Sequence, residues 1–187
     1  MVFMNNIINS TRLYDFQGYY KLYRLGIESP FIASTYYFFA RYGIVFFFLS
    51  FIYLIWKRKI PAFLSALISM GFAGVVDFLV YIFWQRPRPF IVHADLIADP
   101  IIRGMKLGSA SFPSSHTYVA FAIATSMILY GHRKLGSFLF ILAVFIALGR
   151  IGTGLHYPSD VIAGAILGTA SGLIVYFLTR RLGMERD

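Results

Sequence analysis

Five long apolar runs decide what this chain is able to become. Pro30–Trp56 contains one charge, Arg41, and Pro61–Trp84 contains only Asp77. Ser114–Tyr130, the shorter Leu135–Gly149 and Pro158–Thr179 complete the set. A helix needs about 20 apolar residues to cross a bilayer, and these runs are of about that length. The chain is 58% hydrophobic and only 13% charged, against about 25% charged residues in soluble domains. The expected fold is all-α: a polytopic membrane helical bundle of about five transmembrane helices, preceded by an N-terminal amphipathic helix at the interface.

Residues 1–187 read as one integral-membrane domain, with residues 1–29 an interfacial segment and residues 30–181 the bundle with its catalytic loops. Tyr14, Phe16, Tyr19, Tyr20 and Tyr23 recur at roughly helical spacing among Arg12, Asp15, Lys21 and Arg24, as a helix lying in the interface requires. Asn9-Ser10-Thr11 fits a glycosylation sequon, a short pattern that far more often arises by coincidence. The net charge is +9 and there is no cysteine. Disulfides and thiolate metal sites are excluded. Anionic headgroups and a phosphorylated substrate account for the charge better than nucleic acid does, because no soluble basic domain carries it.

Lys57-Arg58-Lys59, Arg133-Lys134 and Arg180-Arg181 with Arg186 crowd into very short segments. The positive-inside tendency puts them, and the C-terminus, in the cytoplasm. Alternating the five helices then brings Arg88, His116, Arg150, His156 and Asp160 to one face, expected to be the extracytoplasmic face of the plasma membrane. Their convergence on one face does not depend on the orientation chosen.

That set is the equipment for metal-free phosphoryl transfer. A histidine can attack phosphorus, a carboxylate can fix its tautomer, and a second histidine can protonate the leaving oxygen. Guanidinium forks match phosphate oxygens. Pro113 and Pro158 each suit a helix's first turn, where N–H groups and dipole favour an anion. Pro158 pushes Tyr157 towards extended geometry. His156 then sits just outside a helix whose first turn holds Asp160, within reach of the imidazole Nδ1. Taken singly, Ser114 and Ser115 read equally well as helix caps, and Asp160 as a complement to the helix dipole. His93 and His132 read as background, and the glycines around Gly164 and Gly168 as a close-packing seam. No metal cage is visible: Asp15, Glu28, Asp95 and Asp99 do not gather.

Three stretches carry a resemblance to the type-2 phosphatidic acid phosphatase superfamily: Arg88-Pro89; Pro113-Ser114-Ser115-His116; and Gly149-Arg150, His156 and Asp160. The similarity spans roughly residues 72–172 and is most specific in the third stretch. Tyr81 stands where the family has lysine, Ser115 where it has glycine, and Gly149 where it has serine. Backbone N–H groups remain as phosphate donors for the last two, and Arg86 is a candidate substitute for the lysine. The short chain, Arg88-Pro89-Phe90 and Ser111–His116 look like the bacterial undecaprenyl-diphosphate phosphatases of the bacitracin-resistance type.

The resemblance implies a phosphohistidine intermediate and no cofactor. His156 would be the nucleophile, Asp160 its orienting acid and His116 the general acid and base. Arg88, Arg150, Ser114, Ser115 and Arg86 are the expected phosphate-binding residues. The expected substrate is undecaprenyl diphosphate, with phosphatidylglycerol phosphate or phosphatidic acid as alternatives. A small transporter or binding protein is the reading from another class, since Arg41 and Asp77 are intramembrane charges; the lack of a visible inverted repeat argues against it.

Overall fold

The computed structural model describes residues 2–94 and 110–183, with side chains from residue 12 onward. The sequon side chains, Asp95, Asp99 and Arg186 lie outside the described residues. Among those described, seven helices are present and no extended strand. They are α1 (Val2–Glu28), α2 (Pro30–Trp56), α3 (Ile60–Phe83), the single turn α4 (Pro89–Val92), α5 (Ser115–Leu129), α6 (Arg133–Gly152) and α7 (Pro158–Arg181). α2, α3, α6 and α7 are each long and apolar enough to cross a membrane, so the chain is a multi-pass membrane protein.

The short spanning helix is α5, at 15 residues, rather than the run before Arg150. α6 extends from Arg133 to Gly152, beyond the Leu135–Gly149 stretch read from sequence. α5 packs against α2, α3, α6 and α7, and every residue from Ala120 to Met127 is buried. A helix sheathed by its neighbours need not match the hydrocarbon thickness itself, so about 22 Å of helix suffices. Its core contacts include Phe47 and Leu54 of α2, Ala66 of α3 and Ile146 of α6.

Small residues set the helix spacings. A Cβ on Gly164, Gly168 or Gly172 of α7 would press on α5, in the worst case 2.3 Å from the Tyr118 carbonyl oxygen. The seam expected from the sequence is therefore present. The two intramembrane charges have different partners. Arg41 is exposed, its guanidinium 5.7 Å from the Tyr42 ring centre. Asp77 accepts a hydrogen bond from Tyr118 Oη at 3.2 Å.

The N-terminal aromatics do form a helix, but its buried stripe faces protein. Tyr19 and Tyr23 are each 1% exposed and pack with Ile151, Tyr157 and Val161. Gly18 lets α1 approach Pro158, whose Cγ would lie 3.1 Å from a Cβ there. α1 ends where Ser29 turns extended ahead of Pro30, as a residue before proline prefers.

Candidate active site

Four segments meet at one end of the bundle, opposite the basic turns. The loop after α3 is stitched to the entry of α5: Ser111 N–H donates to the Arg86 carbonyl at 2.7 Å, and Pro87 bridges Ala110. After α6 the chain turns sharply through Gly154, whose φ of +80° lies where a Cβ is strained. Leu155 and His156 N–H groups both return to the Arg150 carbonyl, at 3.1 and 3.2 Å. That turn sets His156 beside Arg150.

His156 is 1% exposed. Its Nδ1 lies 2.7 Å from the Ser111 carbonyl oxygen, which can only accept, so Nδ1 carries the proton. Nε2 then presents its lone pair, 3.2 Å from Arg88 Nη1 and 3.2 Å from Arg150 Nη2. Burial lowers the imidazole pKa to about 4; the Asp160 contact opposes this, and the charges of Arg150 and Arg88 add to it. Arg88 also donates to the Leu155 carbonyl at 3.1 Å. Arg150 donates to the Ala40 carbonyl of α2 at 3.3 Å. Its Nε has no hydrogen-bond partner among the described residues, and no described carboxylate pairs with it.

Asp160 is fully buried and does not take the Nδ1 proton expected from the sequence. Its Oδ2 stands 3.6 Å from Nδ1, accepting instead from Tyr157 N–H at 2.8 Å and from the Ser111 hydroxyl. Oδ1 accepts from Arg86 Nη1 at 2.7 Å. The carboxylate fixes the two residues that frame the imidazole rather than the imidazole itself.

The remaining residues expected at the site divide. His116, half-buried in the first turn of α5, is within electrostatic range of Arg150, His156 and Arg88. Ser114 is the buried N-cap of α5; its N–H is spent on the Asp160 carbonyl at 3.1 Å, and its Oγ accepts from Thr117 at 3.0 Å. Pro113 therefore precedes the helix instead of opening it. Ser115 is exposed. Arg86 points away from Nε2 and binds two acids, Asp160 and Asp15, so its fork is spent on carboxylates.

One of the family departures, Gly149, gains a physical account. Tyr81 is an exposed residue on α3. Gly149 lies inside α6, so its amide belongs to the helix ladder and is no phosphate donor. A Cβ there would stand 2.8 Å from the Tyr36 carbonyl oxygen and 3.0 Å from the Ala40 nitrogen.

The sequence reading gave Ser111 and Asp15 no place in the site, and it took His93 for background. His93 packs against Phe16 with ring centres 4.4 Å apart. It lines a cleft of about 1090 Å³ with Asp15, Arg86, Trp84 and Tyr157. Nothing local marks Ser111, since its backbone carbonyl does the work. Among the described residues no group of three or more His, Asp or Glu side chains is gathered for a metal ion.

Two buried arginines thus converge on one histidine nitrogen at the end of a helical membrane bundle. The chain belongs to the PAP2 superfamily, whose family model matches residues 62–183. It is similar to undecaprenyl-diphosphatase BcrC of Bacillus subtilis, 35% identical over 107 residues, covering 57% of this chain and 52% of that protein. It is also similar to lipid A 4'-phosphatase of Bacteroides thetaiotaomicron, 38% identical over 90 residues, covering 48% and 39%. The matched stretch spans about half the length of these curated relatives, or less. Among solved structures, Aquifex aeolicus LpxE superposes with a TM-score of 0.65 at 27% identity, covering 83% of this chain and 92% of that one. The PAP2-type phosphatidylglycerolphosphate phosphatase of Bacillus subtilis shares the fold, with a TM-score of 0.69 at 20% identity and coverage of 93% and 88%.

Proposed function

We propose that the chain is a membrane lipid phosphatase in which His156 Nε2 attacks phosphorus. The observation that carries this reading is the convergence of Arg88 and Arg150 on that nitrogen, each at 3.2 Å. A buried cation with no acid partner among the described residues, such as Arg150, is costly, and an incoming phosphoryl group would supply oxygens to it. Attack forms an N–P bond and breaks the bond from phosphorus to the leaving oxygen, which His116 protonates. Water, deprotonated by His116, then cleaves the N–P bond and releases inorganic phosphate. Arg88 and Arg150, with the hydroxyl proton that Ser114 has left to donate, stabilise the equatorial oxygens throughout.

Undecaprenyl diphosphate, cleaved to the monophosphate, is the favoured substrate, supported by the Arg88–Phe90 and Ser111–His116 stretches and by the similarity to BcrC. Another lipid phosphate, such as phosphatidylglycerol phosphate or phosphatidic acid, is the second reading, favoured by the similarity to the lipid A phosphatase. We place the site on the outer face of the plasma membrane, because the basic turns lie at the other end of the bundle.

Phosphate release by purified protein in detergent, over a panel of these lipids and in excess chelator, tests the proposal. Chelator-resistant release that is fastest with undecaprenyl diphosphate is expected. Release from none of them would overturn it, and a strict Mg²⁺ requirement would overturn the mechanism.

A further inference from the structure

We propose that Asp15, on the N-terminal helix and outside the residues matched by the family, is a positioning residue for the reaction. It holds Arg86 against Asp160 and so fixes the frame around His156; the inference rests on the proposed role of that histidine.

Asp15 belongs to the buried stripe of α1 that continues through Gly18, Tyr19 and Tyr23. Its side chain is 10% exposed and both oxygens are engaged. Oδ1 accepts the Ser159 N–H at 2.9 Å, in the first turn of α7. Oδ2 accepts from the Ser159 hydroxyl and from Arg86 Nη2, each at 2.6 Å. Arg86 uses its other terminal nitrogen for Asp160 Oδ1, at 2.7 Å, and for Ser159 Oγ at 2.6 Å. Its guanidinium also covers the Tyr157 ring at 4.0 Å. One planar fork thus bridges two carboxylates.

That bridge has a mechanical meaning. Asp160 Oδ2 positions Ser111 and Tyr157 N–H, and the Ser111 carbonyl positions His156 Nδ1. Arg86 fixes the opposite oxygen of the same carboxylate. With Asp15 neutralised, half of the Arg86 fork loses its charged acceptor, and the guanidinium is released to rotate into the adjoining cleft. The loss is then felt in the aim of Nε2 rather than in affinity for phosphate, because neither Asp15 nor Arg86 reaches the face that Arg88 and Arg150 share. The bridge also demands a fork: lysine at position 86 is a single point donor that cannot hold both acids in one plane.

Steady-state phosphate release with a lipid phosphate the wild type accepts, measured on folded, monodisperse protein, tests this. Outer-shell partners that orient metal ligands are worth about 10- to 100-fold in activity, and the same scale is expected for a residue that holds the frame of a nucleophile. Asp15→Asn is expected to lower kcat about tenfold while KM stays within about twofold. Asp15→Glu is expected to recover at least about a third of kcat, because the charge returns on a flexible stem. Arg86→Lys examines the bridge from its other end and carries the test should Asp15→Asn not fold; a fall in kcat without a rise in KM is expected. Arg24→Ala, on the exposed side of α1 where Arg24 pairs with Glu28, should change neither constant. Wild-type kcat in Asp15→Asn or Arg86→Lys, or a loss confined to KM, overturns the positioning role. His156→Ala separates the two levels. If it stays active, the site reading itself fails; if it is dead beside a fully active Asp15→Asn, only the role of Asp15 fails.

Discussion

The backbone carbonyl of Ser111 accepts the His156 Nδ1 proton at 2.7 Å, while the Asp160 carboxylate stands 3.6 Å from the same nitrogen. The tautomer that exposes Nε2 is therefore set by main chain, and the acid acts one step removed. Backbone is harder to displace than a side chain, and that difference can be measured.

Asp160→Asn should cost less than a carboxylate in direct contact with the imidazole would, where losses reach about 10⁴-fold. A fall in kcat of about 10- to 100-fold is expected, since the Ser111 carbonyl still selects the tautomer. His156→Ala should lower kcat by about 1,000-fold or more, roughly 4 kcal/mol of barrier, in a protein that still folds. Parallel phosphate-release assays decide it; equal losses in the two variants would refute the indirect role.

The pH profile should carry the mark of a buried imidazole. The proposed attack needs the neutral form, and burial lowers the His156 pKa from its usual 6.5 to about 4. A lowered pKa keeps the ring neutral further into acid, so the acidic limb of kcat/KM belongs near pH 4 rather than 6.5. Activity at pH 5.5 should remain close to its value at pH 7. An inflection between pH 6 and 7 would assign that limb to another group.

Restoring the family's serine should harm the protein. At Gly149 the α2 backbone occupies the space a Cβ needs, so Gly149→Ser must push α2 from α6 and with it the Ala40 carbonyl that holds Arg150. Overpacking of this kind costs about 1–3 kcal/mol. A lower thermal midpoint in detergent, together with reduced phosphate release, is expected. An unchanged midpoint would show that the helices yield freely.

Sidedness can be read from the absence of native cysteine. Gln85→Cys, at an exposed position beside the site, should react with a membrane-impermeant thiol reagent in intact cells. Lys134→Cys, at the opposite end, should react only once the membrane is broken. The reverse pattern would move the chemistry to the cytoplasmic face.

The apolar runs announced their helices because lipid exposure demands continuous hydrophobicity, and the Gly164–Gly168 seam followed from its spacing. Helix ends were harder to read. Gly149, Gly152 and Gly154 look like a stop signal, yet the first two lie within α6 because α2 presses against them, and only Gly154 makes the turn. Four residues of the candidate site, Arg88, Arg150, His156 and Asp160, stood out in the sequence through reactive side chains at telling intervals. Ser111 could not, because its contribution is a carbonyl that every residue possesses. Asp15 could not either, since its partner Ser159 stands 144 positions away and only the folded chain brings them together.

The Arg150 guanidinium rests on the carbonyl of Ala40, and Asp15 reaches Arg86 from still earlier in the chain. A fragment cut to residues 62–183 would keep every motif residue and lose both supports. The proposed phosphate cradle is thus not a portable module that can be grafted with its signature stretches alone. Transplanting it to another helical scaffold would require the first two helices to travel with it.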